Sequence, residues 1–225
     1  MRRAVETEPT MVRGALVVPS PPMQLPEYVG LTDPAAEIRD RSVAALAETI
    51  AEWQPTAIAV LAGHDPLAEH SLGSVAARVA ALLLAQAGWT ETVRPIAIPF
   101  DASAVELDAA AARVLNGRNP GGTLLLVPAD LSAKRTEAAP GHFDERAAGF
   151  DAAVLDVLSK GDAAALRDAD LSLAQDLWAT GLAPLQVMAR CLPAPVRSEI
   201  LWSSLPYGVQ YVRARWWGRR PGSHG

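Results

Sequence analysis

The chain has 225 residues, 50% of them hydrophobic, and a formal net charge of −5. That length supports one sizeable core, the mild acidity leaves no nucleic-acid footprint, and no apolar run reaches the about 20 residues that a membrane span needs. The single cysteine, Cys191, excludes an intramolecular disulfide and any multi-cysteine metal or iron–sulfur site, and points to a reducing, cytoplasmic compartment.

In chain order, residues 1–10 mix Arg2, Arg3, Glu6 and Glu8 without an apolar h-region, so 1–12 is expected to be a flexible leader and not a signal peptide. Residues 14–18 form a short buried run stopped by Pro19-Ser20-Pro21-Pro22, a strand pattern. Asp33 as N-cap and Pro34 at the first helical position open a helix whose apolar face carries Ile38, Ala45, Leu46, Ile50 and Trp53 and which stops before Pro55. A second strand over 57–62 ends at Gly63, and an Ala/Leu-rich helix follows over 74–87. A strand over 96–98, a helix over 104–115 and a strand over 123–127 complete the alternation. Beyond residue 143 the pattern is helical over 143–158, 162–167, 172–180 and 184–191. A final strand over 208–214 precedes an Arg/Pro/Gly/Ser-rich tail at 218–225.

Near-continuous apolar strands alternating with helices predict one α/β domain over 13–217. It would be a three-layer αβα arrangement with a largely parallel or mixed central sheet. Ligand sites of such sheets lie beyond the carboxyl ends of the strands. That rule sets Ser20, His64 and the 128–135 loop at one rim. There is no phosphate-cradling loop, no dinucleotide-binding glycine motif and no nucleophile elbow.

Several segments, in order from about residue 14 to residue 215, resemble the β-subunit family of class III extradiol ring-cleavage dioxygenases (LigB-like) and its MEMO-like relatives. Val18-Pro19-Ser20-Pro21-Pro22 is similar to a first-strand motif ending in Pro-His-Pro-Pro. The stretch ending in Gly63-His64-Asp65-Pro66 resembles a Ser-Pro-His-Gly-Pro motif, and Glu69-His70-Ser71-Leu72 matches Glu-His-Ser-Leu. Asp130-Leu131-Ser132-Ala133, running on to Pro140-Gly141 and Phe150-Asp151, follows the catalytic loop and its next helix. Trp178-Ala179-Thr180-Gly181-Leu182 resembles Gly-Glu-Cys-Gly-Leu, and Pro206-Tyr207-Gly208-Val209-Gln210-Tyr211 resembles a closing Pro-Phe-Gly-Val-Gly-Tyr strand. The Ala/Arg/Gly richness fits a short actinobacterial-type branch.

The resemblance implies ferrous iron on two histidines and a glutamate, with a further histidine as acid/base. Here the first ligand position holds Ser20, the second keeps His64, the glutamate position holds Ala179, and the acid/base position holds Ala133. Three of the four groups are therefore replaced, and ring cleavage is expected to be absent. The MEMO-like variant would use His70, but its first-strand partner is still Ser20.

Two readings follow. In one, the protein is a degenerate-site relative that binds a small molecule or a partner protein and needs no cofactor. Its ligand-binding candidates are Ser20, His64, His70, Asp130, Ser132, Lys134 and His142. In the other, it is an enzyme with a repurposed site around His64 and His70. That site could hold a divalent metal (iron, zinc or manganese), with Asp65 and Glu69 as further ligand candidates. Relatives in the resembled family pair with copies of themselves, and Trp202, Trp216 and Trp217 are candidates for such an interface.

Overall fold

The computed structural model describes residues 11–65, 74–117, 119, 121–192 and 194–218. Six strands are present: β1 (Val12–Val18), β2 (Ala57–His64), β3 (Thr92–Pro99), β4 (Thr123–Pro128), β5 (Val196–Ser204) and β6 (Tyr211–Gly218). They form one mixed sheet in the order β3-β2-β4-β1-β6-β5. The first four strands run parallel, while β6 is antiparallel to both β1 and β5.

Alternate residues of a strand face opposite sides, and β4 shows why its sequence is apolar throughout. Leu124 and Leu126 pack with α1 (Ala36–Trp53) and α2 (Val75–Gln86), alongside Leu46, Trp53 and Leu83. Leu125 and Val127 face the other layer. That layer is built by α3 (Ala104–Leu115), α4 (Arg146–Lys160), α5 (Ala163–Arg167), α6 (Leu171–Asp176) and α7 (Leu182–Cys191). Each of these leucines is fully buried, worth about 2 kcal/mol apiece in water-to-core transfer. A strand covered on both faces has no polar side to show, hence the continuous run. The result is the expected three-layer αβα fold.

The helix ends follow local chemistry. Ser103 and Glu106 close a reciprocal capping box on α3, and Ser74 caps α2 through the Ala77 N–H. The expected cap at Asp33 is displaced. Its Oδ1 accepts from the Ala35 N–H at 3.2 Å, its other oxygen pairs with Arg39 at 2.6 Å, and α1 starts only at Ala36. Likewise α4 begins at Arg146 and not at 143, because Asp144 accepts from the Arg146 N–H and ends the preceding turn. The helix expected over 172–180 stops at Asp176. Val12 and Gly218, assigned by sequence to leader and tail, belong to β1 and β6.

The expected last strand starts later, at Tyr211, and β5 has no counterpart in the sequence reading. Its sequence, Val-Arg-Ser-Glu-Ile-Leu-Trp-Ser-Ser, alternates between exposed and partly buried positions along its whole length. It is a sheet edge with one wet face, so it lacks the continuous apolar run that reveals the buried strands. Trp216 is not available for an interface between copies: it is fully buried, with its indole N–H donating to Leu158 O at 2.8 Å. Trp217 packs on Trp53, ring centroids 6.1 Å apart, and Trp202 lies under the Arg213 guanidinium. No helix among the described residues is long and apolar enough to cross a membrane.

Candidate functional site

The crossovers diverge at one place on the rim. The connections after β1 and β2 leave towards the α1–α2 layer, whereas the connection after β4 leaves towards the α4 layer. Strand β4 lies between β2 and β1, so its outgoing loop parts from both neighbours, the place where sheets of this kind put their ligand sites. The pairing of β2 with β4 ends at Val60↔Leu126, while β2 continues beside β3 to His64↔Pro99. Carried forward, the two β4 registers set His64, Asp130 and Ser20 in one row across β2, β4 and β1.

The segment joining α6 to α7 fills the gap between the parted strands. The Gly181 N–H donates to Asp130 O at 2.8 Å. A Cβ on Gly63 would stand 2.8 Å from Thr180 O and 2.7 Å from the Phe100 ring; one on Gly181 would stand 2.7 Å from Asp130 O. Both glycines are therefore required by close approach of backbone. Ala179 is buried in this segment.

Asp130 is the electrostatic centre of the row. Its Oδ1 accepts from the Ser20 N–H at 2.7 Å, and its backbone bridges to Tyr211. Burial pushes its carboxyl up to about 7, against the opposing effect of the Ser20 hydrogen bonds. Tyr211 is itself buried, and desolvation plus the neighbouring Asp130 charge raise its phenol well above the ordinary value. A carboxyl that changes protonation near neutral pH can take or give a proton, or donate a hydrogen bond to a ligand oxygen. Ser20 is buried at the end of β1, and His64 is half-buried at the end of β2. The His64 ring makes no hydrogen bond to the described residues.

The loop after β4 is held by a network in which Ser132 takes part. The Ser132 N–H and hydroxyl donate to the two carboxylate oxygens of Asp151 at 2.9 and 2.6 Å. Arg135 bridges Asp151 at 3.0 Å and Gln210 Oε1 at 3.3 Å. Ser132 and Asp151 are fully buried, so the serine hydroxyl serves loop architecture and not a ligand at the strand ends. Ala133 is fixed by its N–H donating to Leu177 O at 3.0 Å and its carbonyl accepting from Gly141.

The other candidates scatter. Lys134 sits 5.5 Å over the Trp178 ring, and its charge helps hold Asp144 low, mainly an effect of the Arg146 hydrogen bonds. His142 is exposed in a turn with positive φ in the loop before α4. Asp65 is exposed immediately after β2. Glu69 and His70 lie outside the described residues. Among the described residues, no three His, Cys, Asp or Glu side chains converge into a metal-holding group.

Sequence reasoning passed over Asp151 and Gln210 as functional positions. The signal for Asp151 was present: a carboxylate on the same helix face as Ala147, Val154 and Leu158, where only a paired charge is tolerated. Gln210 gave no such signal, because its role depends on Arg135 arriving from a distant loop.

No family model matches the chain, and no curated protein matches it. Among solved structures, the chain is similar to the uncharacterized protein JW3007 from Escherichia coli K12, at 13% identity and a TM-score of 0.50, over 92% of this chain and 100% of that one. At that identity the likeness shows a shared α/β architecture, a mixed sheet between helical layers.

Proposed function

We propose that this protein is a class III extradiol dioxygenase-like binder of a small hydroxylated molecule that does not cleave rings. The observation that carries the reading is the row at the strand ends. The strand registers count Ser20, His64 and Asp130 to one level, the Ser20 N–H donates to Asp130, and Ala179 and Ala133 lie in the two segments that follow α6 and β4. By resemblance these are the positions of two iron ligands, the glutamate and the acid/base group. Ser20, one imidazole and Ala179 do not fit ferrous iron, whose facial triad takes two histidines and a carboxylate. His64 and the near-neutral Asp130 carboxyl remain as groups that can hydrogen-bond a phenol or alcohol. The single buried thiol agrees with a cytoplasmic setting.

A second reading is an enzyme repurposed around His64, and the raised Asp130 carboxyl favours it, since a base poised near neutrality suits proton transfer. In that case Asp65, Glu69 and His70 would be the additional groups to test, with a divalent metal as the cofactor.

One experiment separates these readings. The purified protein is analysed for bound metal, loaded anaerobically with ferrous iron, and exposed to catechol and dioxygen. Expected are saturable catechol binding that is lost in His64→Ala, and no yellow ring-fission product. Ring-fission product would overturn the proposal. Stoichiometric iron, zinc or manganese that disappears in His64→Ala would replace it with the second reading.

A further inference from the structure

A cavity of about 310 Å³ opens between the start of α1 and the β5–β6 edge. Its size falls at the lower end of small-molecule pockets. Arg213 on β6 lines it and is only 4% exposed. Among the described residues, the hydrogen bonds of this guanidinium run through Nη2, to Ile38 O at 3.1 Å and Ser42 Oγ at 3.0 Å. Its Nε is buried without a partner, and no carboxylate among the described residues pairs with it. A buried cation without a counter-ion is costly and is normally matched by an anion. The face of Trp202, 5.4 Å from the guanidinium carbon, offsets part of that cost. Burial and the nearby Arg41 lower the Arg213 value to about 10, so the group is still cationic at neutral pH.

The rest of the cavity has matching chemistry. Tyr207 stands at its mouth, half-exposed, with φ 61° and ψ 19°. That left-handed backbone is costly for a tyrosine and is held by its surroundings, including a hydroxyl donating to Pro34 O at 3.2 Å. Arg41 and Glu37 pair at 2.9 Å on the outer wall. Two arginines against one glutamate leave one net positive charge. The first turn of α1, an 18-residue helix, adds the positive end of its dipole.

We propose that this cavity binds a small organic monoanion, a carboxylate carried on a planar apolar body. The carboxylate pairs with the Arg213 guanidinium where it lines the cavity, and the apolar body lies against Trp202 and Tyr207. Its lining includes none of Ser20, His64 and Asp130, and the assignment does not rest on the reading of the strand ends.

The test is titration of the full-length protein with benzoate, followed by saturation-transfer NMR and calorimetry. Benzamide serves as the neutral isostere and inorganic phosphate as the competing anion. Benzoate is expected to bind saturably, more weakly as salt rises, while benzamide does not. Arg213→Gln is expected to weaken benzoate at least about tenfold, the loss of a charge-assisted contact. Because Arg213 is buried, two exposed variants keep the test decisive if that protein does not fold. Arg41→Ala is expected to weaken benzoate, and Glu37→Gln, which raises the net positive charge, to tighten it. No saturable benzoate binding, or binding unchanged in both exposed variants, would overturn the site. Phosphate displacing benzoate at lower concentration would overturn the ligand class.

Discussion

Asp130→Asn separates the charge of this carboxyl from its shape, since the amide oxygen can still accept from the Ser20 N–H. In the folded chain burial raises the Asp130 value from 3.8 to about 7. A folded value above the unfolded one means that folding favours the protonated form. The contribution to stability is therefore complete below the unfolded value and is lost as pH rises through about 7. The gap between the two values corresponds to about 4 kcal/mol if the group were wholly dry. Asp130 keeps part of its surface in solvent, and screening there reduces the expected effect to about 2 kcal/mol. Urea unfolding of both proteins across the range from about pH 4 to about pH 8 measures it. The asparagine variant should gain on the wild type steadily through this window and hold a constant lead above it. The other titrating groups cancel in the difference between the two proteins. A stability difference that does not change with pH would refute the claim that Asp130 is held against its charged form.

Three further outcomes follow from the packing. Asp151→Ala leaves the buried Ser132 hydroxyl and the Arg135 guanidinium without their acceptor, so thermal unfolding should show a loss of about 3 kcal/mol or more. Gly181→Ala drives a Cβ against the backbone of Asp130, 2.7 Å from its carbonyl oxygen, and chemical denaturation should show a cost of about 1–3 kcal/mol. The Cys191 thiol, buried and pushed up to about 12, should resist a thiol-specific reagent at neutral pH until denaturant is added; rapid labelling of the native protein would contradict that burial.

The inner parallel strands were legible because they are sandwiched between helical layers and are apolar along nearly their whole length, unlike the edge strand β3. Strands β1, β2 and β4 announce themselves in this way, and the rim carrying Ser20, His64 and Asp130 follows from the general rule for such sheets. The edge strand β5 was not legible, because its partner β6 lies later in the chain and one of its faces is wet. The Arg213 cavity was hidden for a related reason. In the sequence Arg213 belongs to a cluster of terminal arginines that looks solvated, and only the return of β6 beneath α1 buries it. Long-range burial of a charge leaves no local pattern to read.

The loop after β4 contrasts scaffold with chemistry within a few residues. Its path is fixed by charge-assisted bonds, Ser132 and Arg135 to Asp151 and Arg135 to Gln210, and by the Gln210 N–H donating to the Ser132 carbonyl. Such bonds exact a large penalty when one partner is removed, so they define one conformation of the loop. Ala133 lies inside that fixed path, with both its N–H and its carbonyl bonded, yet it presents only a methyl group. The same is true of Ala179, buried in the segment wedged against Asp130 and Gly63. Over-determined backbone with chemically inert side chains at these two positions is what the proposed binding role, without ring cleavage, requires. On the proposed reading, the polar groups left to act on a ligand are His64 and Asp130, and burial raises the Asp130 carboxyl to about 7.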